Sequence, residues 1–261
     1  MAGEQGQIKV NALSWQSLLI KTTQIHSFIG QGTGFVVKHK EKYYLITNWH
    51  MLTNQDPLTM RCLVSEDYIP NRVNIYHHVI GHTDMWIQQQ ELLFDEQGKP
   101  RWIEQERETG FADVVALPLK GTPPGCTHLQ FCPLDQSSAV SESDIDPGML
   151  VYIIGYLEGI NVGSGKCVGG EPHGGWPIWI TGHIASDPGQ DYRGRPVYLI
   201  NASTGEGLSG APVFVQIKGK MQFLGVYSSG IAFRNSGENV IGMGEVWRAK
   251  ILDEILESTS K

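Results

Sequence analysis

Gly34-Phe35-Val36-Val37-Lys38, then His39-Lys40-Glu41-Lys42, then Tyr43-Tyr44-Leu45-Ile46-Thr47 is the stretch that decides the fold class. Two short runs rich in β-branched and aromatic residues flank a charged tetrapeptide, which is the pattern of a β-hairpin. The same texture extends outward. Apolar runs recur at 73–80, 85–94, 114–119, 150–156, 178–184, 197–200, 211–217 and 223–227, separated by Gly, Pro and Asp turns. Residues 85–106 read as a further hairpin turning at Asp95-Glu96-Gln97-Gly98-Lys99-Pro100. Many short strands without alternating helices point to an all-β sandwich or barrel. A single helical stripe comes last, formed by Val246, Ile251, Leu252, Ile255 and Leu256 with Asp253, Glu254 and Glu257 among them. A Ser- and Asp-rich stretch at 134–148 divides the chain near its middle.

With 261 residues the chain can bury a sizeable core, and 41% hydrophobic with 18% charged residues is ordinary for a globular protein. The net charge of −7 and the absence of a dense Lys/Arg cluster argue against nucleic acid as a partner. No run approaches the roughly 20 apolar residues that cross a bilayer, so no membrane partner is expected. Residues 1–10 are polar and lack the apolar stretch of a signal peptide, which leads to the expectation of a cytosolic, prokaryote-like (cytoplasmic) protein. Cys62, Cys126, Cys132 and Cys167 are then expected as reduced thiols, and their spacing is not that of a zinc site.

Three residues stand at strand ends beside small or turn-forming neighbours. Ser209 lies in Gly205-Glu206-Gly207-Leu208-Ser209-Gly210-Ala211-Pro212. A glycine-rich bend there lets the amides of Gly207 and Ser209 converge, and such paired donors stabilise a developing oxyanion by about 3 kcal/mol each. His50 follows the apolar run 43–46, and Asp113 precedes the apolar run 114–117. Singly, each has a plain structural explanation: a glycine-rich turn, a core histidine, a turn cap. Together they supply what a serine hydroxyl needs, namely an imidazole to take its proton and a carboxylate to hold that imidazole's tautomer. The order His, Asp, Ser is not that of α/β-hydrolases, and Gly207-Leu208-Ser209-Gly210-Ala211 is not their Gly-x-Ser-x-Gly elbow.

At this point four segments resemble the chymotrypsin/trypsin-like serine proteases. Gly32-Thr33-Gly34-Phe35 followed by Leu45-Ile46-Thr47-Asn48-Trp49-His50 is similar to that family's GSGF…LTAAH segment. Ala112-Asp113-Val114-Val115-Ala116-Leu117 resembles its aspartate segment. Gly207-Leu208-Ser209-Gly210-Ala211-Pro212-Val213 resembles its GDSGGPL loop, and Gly225-Val226-Tyr227-Ser228-Ser229-Gly230 its GIVSWG strand. The resemblance implies two packed six-stranded antiparallel β-barrels with a C-terminal α-helix. It places the first barrel at 1–135 with the His and Asp, the second at 136–245 with the Ser, and the helix and tail at 246–261. It implies a serine endopeptidase acting on polypeptides through an acyl-enzyme on Ser209, with no cofactor and no metal. His50 would be base then acid, Asp113 its orienter, and the amides of Gly207 and Ser209 the oxyanion hole. Ser228 would support Asp113, Ser228, Ser229 and Gly230 would pair with substrate backbone, and Ser203 would floor the primary specificity pocket.

The departures narrow this reading. Leu208 replaces the aspartate that secreted members pair with a newly cut N-terminus. The alternative is therefore a protease-like peptide-binding module, inactive or needing an activating partner to order its oxyanion loop. Asn48-Trp49 replaces two alanines, with Trp49 set to alter packing beneath the histidine. Ser203 is not acidic, which implies a pocket for a small or medium uncharged side chain. Gly163-Ser164-Gly165-Lys166-Cys167 lacks the first glycine and the Ser/Thr of a phosphate loop. The run 169–175 reads as a surface loop, His77, His78, His82 and Asp84 as a solvated face, and Glu104–Glu108 as a solvated charge run.

Overall fold

A computed structural model describes residues 10–25, 27–79, 81–108, 110–121, 131–163, 165–168, 175–233 and 241–258. In the first half lie β1 (Ser17–Gln24), β2 (Ser27–His39), β3 (Lys42–Thr47), the short helix α1 (Trp49–Thr53), β4 (Arg72–His78), β5 (Met85–Leu92), β6 (Glu106–Arg107), β7 (Gly110–Phe111) and β8 (Val115–Pro118). Then come β9 (Leu150–Gly155), β10 (Lys166–Val168), β11 (Ile178–Ile184), β12 (Val197–Ala202), β13 (Pro212–Ile217), β14 (Lys220–Phe233), β15 (Ile241–Arg248) and α2 (Ile251–Glu257). The all-β architecture expected from the periodicity is the one that forms, as two barrels.

In the first barrel six strands run in the order β5-β4-β1-β2-β3-β8. Its edges meet without a continuous ladder. Ile103 bridges Ala116 beside β8, and the Arg101 guanidinium donates to Glu91 and to the carbonyls of Leu92 and Pro118. Glu91 is 1% exposed, so its carboxylate is held in the seam by a paired cation rather than by water. β10, from the second half of the chain, adds to β5 in parallel. The second barrel closes fully, in the order β11-β12-β15-β14-β13-β9, which leaves it no unpaired edge along that ladder.

Each barrel has its own apolar interior. Ile20, Val36, Leu45, Leu52 and Ile75 fill the first, and Ile153, Ile200, Val213, Leu224 and Tyr227 fill the second. A third cluster lies between them, joining Phe35, Ile46 and Val114 to Phe214, Phe223 and Trp247 and to Ile251, Leu252, Ile255 and Leu256 of α2. The terminal helix thus seals the seam between barrels with one apolar face.

Several expectations fail locally. Val246 belongs to β15, and the helix begins only at Ile251. β15 carries glycines at 242 and 244 where apolar side chains would have announced a strand, and a Cβ at Gly244 would lie 2.7 Å from Tyr227 Cε2. β1, which the spacing of turns also misses, pairs on both sides, with β2 and β4. His77 and His78 are 2% and 4% exposed rather than solvated. Burial pushes their pKa values down to about 3 and about 4, and His78 stacks on Trp176 at 4.4 Å. No group of three or more potential metal ligands gathers among the described residues. Glu104 is no solvated charge: it accepts from the indole nitrogens of both Trp49 and Trp102 at 2.7 Å. Cys62 and Cys167 are free thiols; Cys126, Ser164 and residues 169–174 lie outside the described residues.

One buried threonine ties the two barrels together. Thr33, on β2 and 0% exposed, donates its N–H to Ser209 O at 2.8 Å and its hydroxyl to Gly207 O at 2.8 Å. The same hydroxyl accepts from Tyr156 N at 2.9 Å, and Thr33 O accepts from Thr47 Oγ1 at 2.9 Å. Thr33→Val keeps the shape but leaves the Gly207 carbonyl and the Tyr156 amide without this partner. It is expected to lower stability by about 1–3 kcal/mol, read as a lower urea midpoint at unchanged slope.

Candidate active site

β3 ends at Thr47 and α1 begins one residue later, after Asn48, so His50 sits in the first turn of a helix rather than at the strand end. Asn48 is fully buried, and its Nδ2 donates to Asp113 O at 2.6 Å. That bond fastens the end of β3 to the residue preceding the strand region of β8. It also explains why a polar residue stands where an alanine was expected by resemblance. Trp49 is 3% exposed; it packs its ring on Phe111 at 5.0 Å in a stacked pair. The bulky neighbour anchors α1 from below while His50 faces the cleft.

Asp113 is 2% exposed and its carboxylate is met from several sides. Oδ1 accepts from the His50 amide at 3.0 Å. His50 Nδ1 lies 3.0 Å from Oδ1 and 2.8 Å from Oδ2, and Ser228 Oγ donates to Oδ2 at 2.6 Å. Both oxygens of one carboxylate at Nδ1 assign the ring proton to that nitrogen and leave Nε2 with its lone pair. Burial alone would push the His50 pKa down. The Asp113 charge and hydrogen bond, with a smaller contribution from Asp56, outweigh it and hold the imidazole above its usual value.

The Ser209 loop is shaped by two glycines in the left-handed region. At Gly207, φ is 94°, and a Cβ would fall 2.3 Å from Tyr156 O. At Gly210, φ is 86°, and a Cβ would fall 2.2 Å from Thr33 O. No other residue type fits such approaches without moving backbone. Leu208 is 0% exposed and packs into the second barrel's interior, so apolar burial anchors the loop at the position of the missing aspartate. Gly210 N donates to Tyr227 O, and Ala211 N to Leu208 O, both at 2.9 Å. Among the described residues the amides of Gly207 and Ser209 donate to no protein acceptor.

Of the expected site residues, His50, Asp113 and Ser228 are joined directly. Ser209 is partly buried, and its loop is held against Thr33 and Thr47, the latter at the end of the strand that leads into α1. Ser209 Oγ makes no hydrogen bond to His50 among the described residues; such bonds are commonly longer before substrate arrives. Ser229 and Gly230 are exposed on β14. They line a cavity of about 370 Å³ together with His50, Pro57, Leu58 and Arg193. Between Tyr227 and Gly230 the pairing of β14 with β15 shifts register, and the pairing with β13 ends at Val226. One edge of β14 beyond Tyr227 is therefore without a strand partner among the described residues. Ser203 is exposed and outside this cavity. Thr33 and Asn48 are the residues that sequence reasoning passed over; a buried polar side chain beside each functional segment is visible only once the segments meet.

None of the curated proteins compared with the chain is similar to it in sequence. Two solved structures with a similar course are the Rv3671c protease in an inactive form and the serine endoprotease from Yersinia pestis. The first is 19% identical, with 96% of this chain and 91% of that one covered and a TM-score of 0.48. The second is 12% identical, with 97% and 67% covered and a TM-score of 0.49. The sequence model of the trypsin-like peptidase domain matches residues 32–226, which include the segments carrying His50, Asp113 and Ser209. The chain belongs to the trypsin-like peptidase domain family.

Proposed function

We propose that the protein is a serine endopeptidase in which Ser209, His50 and Asp113 act together on polypeptide substrates. The observation that carries this reading is the Asp113 carboxylate. It is buried, meets His50 through both oxygens and the His50 amide, and is held on its far side by Ser228. A buried charge satisfied in this way, in a family of peptidases, is best explained by the need to keep the histidine proton on Nδ1. His50 Nε2 takes the Ser209 hydroxyl proton as Oγ attacks the scissile carbonyl carbon. The carbonyl oxygen becomes an oxyanion facing the unpartnered amides of Gly207 and Ser209. The imidazolium, stabilised by Asp113, then gives its proton to the leaving amine, which frees the acyl-enzyme. Water, deprotonated by His50, attacks the ester carbon, and collapse returns the proton to Ser209 Oγ. The substrate backbone lies along the open edge of β14 at Ser229 and Gly230.

A second reading, a module that holds extended peptides without cutting them, is favoured by one observation: Ser209 Oγ is not hydrogen-bonded to His50. Labelling with a fluorophosphonate separates the two. Ser209 is expected to label in the wild type and not in Ser209→Ala, and an unlabelled wild type that still binds peptides establishes the module.

Two further outcomes are expected of the enzyme. Asp113→Asn should lower kcat by about 10⁴-fold while the protein stays folded, because the amide no longer enforces the Nδ1–H tautomer; steady-state kinetics beside circular dichroism check this. His50 must be neutral to act as base, and its pKa is raised. The value of kcat/KM should therefore fall on acidification with an inflection above the ordinary imidazole value of about 6.5. A pH–rate profile with its inflection below that value would remove the role given to the Asp113 charge.

A further inference from the structure

The side chain that follows the peptide backbone into the second barrel must enter beside Gly230 and the segment leading to Ser209. The inside of that space is occupied. Tyr227, one residue before Ser228 on β14, is 2% exposed and donates its hydroxyl to Thr204 Oγ1 at 2.7 Å. A Cβ built on Gly230 would lie 3.5 Å from Thr204 Oγ1, 3.7 Å from Tyr227 Oη and 3.9 Å from Met243 O. One built on Gly244 would lie 2.7 Å from Tyr227 Cε2 and 3.3 Å from Ile200 Cγ1. The phenol tip is thus bracketed by the approach to the Ser209 loop, by β14 and by β15. With the substrate backbone on Ser229 and Gly230, as the peptidase reading has it, the phenol tip stands directly behind Gly230. The tyrosine is also fixed through its backbone, with its N–H on Ala211 O and its carbonyl on Gly210 N, both at 2.9 Å.

Building on the peptidase reading, we propose that Tyr227, hydrogen-bonded to Thr204, closes the base of the primary side-chain pocket and restricts the residue before the scissile bond to alanine, glycine or serine. Gly230 keeps the mouth open to backbone, so the restriction is one of depth. Ser203, exposed, contributes no floor. A longer side chain has to displace a buried ring that lies against Gly244 and a hydroxyl that has a partner. Forced overpacking of this size is expected to disfavour leucine or phenylalanine about 10- to 100-fold. The phenol stays protonated at neutral pH, since burial pushes its pKa up to about 12, and it remains a donor to Thr204.

The pocket can be read without turnover. Peptides identical except for a C-terminal Ala, Leu or Phe are titrated calorimetrically into Ser209→Ala, alone and combined with Tyr227→Val or the milder Tyr227→Leu. The Ala peptide is expected to bind about 10- to 100-fold tighter than the Phe peptide in Ser209→Ala alone. The preference should reverse, or fall to parity, in whichever Tyr227 variant remains folded. Equal or tighter binding of Leu or Phe in Ser209→Ala alone overturns the proposal, as does binding of none of the peptides. A folded Tyr227 variant with unchanged preference overturns the role of Tyr227. Fluorophosphonate labelling of the wild type reports separately on the peptidase reading, so a shallow pocket on a non-cutting module and a deep pocket on an enzyme are distinguished.

Discussion

The hydroxyl of Thr33 is the joint on which the site rests. It donates a hydrogen bond to Gly207 O in the second barrel and accepts one from Tyr156 N, while its backbone N–H meets Ser209 O. Two barrels with separate apolar interiors have no intrinsic reason to adopt one relative position to within a hydrogen bond's tolerance. Dispersion and burial in the shared cluster are non-directional; a buried hydroxyl with both its donor and acceptor capacity in use is directional. The shared core holds the barrels together, and Thr33 sets where the Ser209 loop stands on β2. Gly210 makes the contact close enough, since a Cβ there would overlap the Thr33 carbonyl.

The same logic governs the acidic side of the site. Asp113, on the approach to β8, lies at the meeting of the end of β3, α1 and β14, and each contributes a donor to its carboxylate or a bond to its backbone. A buried carboxylate lacking those donors would be costly, so the three elements are held to one geometry by the charge between them. The histidine benefits from both effects: its ring is oriented by the carboxylate and its backbone is fixed by the same group. Leu208 plays the apolar counterpart across the cleft, anchoring the serine loop by burial where a charge would have required a partner.

The fold class was legible because hairpin texture is local. Phe35–Val37 and Tyr44–Ile46 alternate between interiors as the two-residue period of a strand requires, and most of the expected runs fall within one or a few residues of a strand. β15 was misread for a physical reason: Gly244 carries no side chain because the Tyr227 ring fills the space beside it, which is a tertiary fact. β1 escaped notice because no turn signal of the usual kind brackets it. His77, His78 and Glu104 were read as solvated because polarity is the only local cue, whereas residues distant in the chain cover or bond them: Phe131 packs on His77, Trp176 on His78, and Trp49 donates to Glu104.

His50, Asp113 and Ser209 were legible as candidates, since an acyl-transfer chemistry needs those residue types in that order beside turn-forming neighbours. So was the family, because its motifs are short and contiguous. The sequence by itself therefore determined the all-β class, the candidate residues and the absence of an acidic partner at position 208. The tertiary structure alone decided how the Asp113 carboxylate is shared among His50 and Ser228. It also decided that Thr33 joins the barrels and that Tyr227 stands between Thr204 and Gly244. Those are relations between segments far apart in the chain, and only burial, which brings them together and removes water as a partner, gives them their strength.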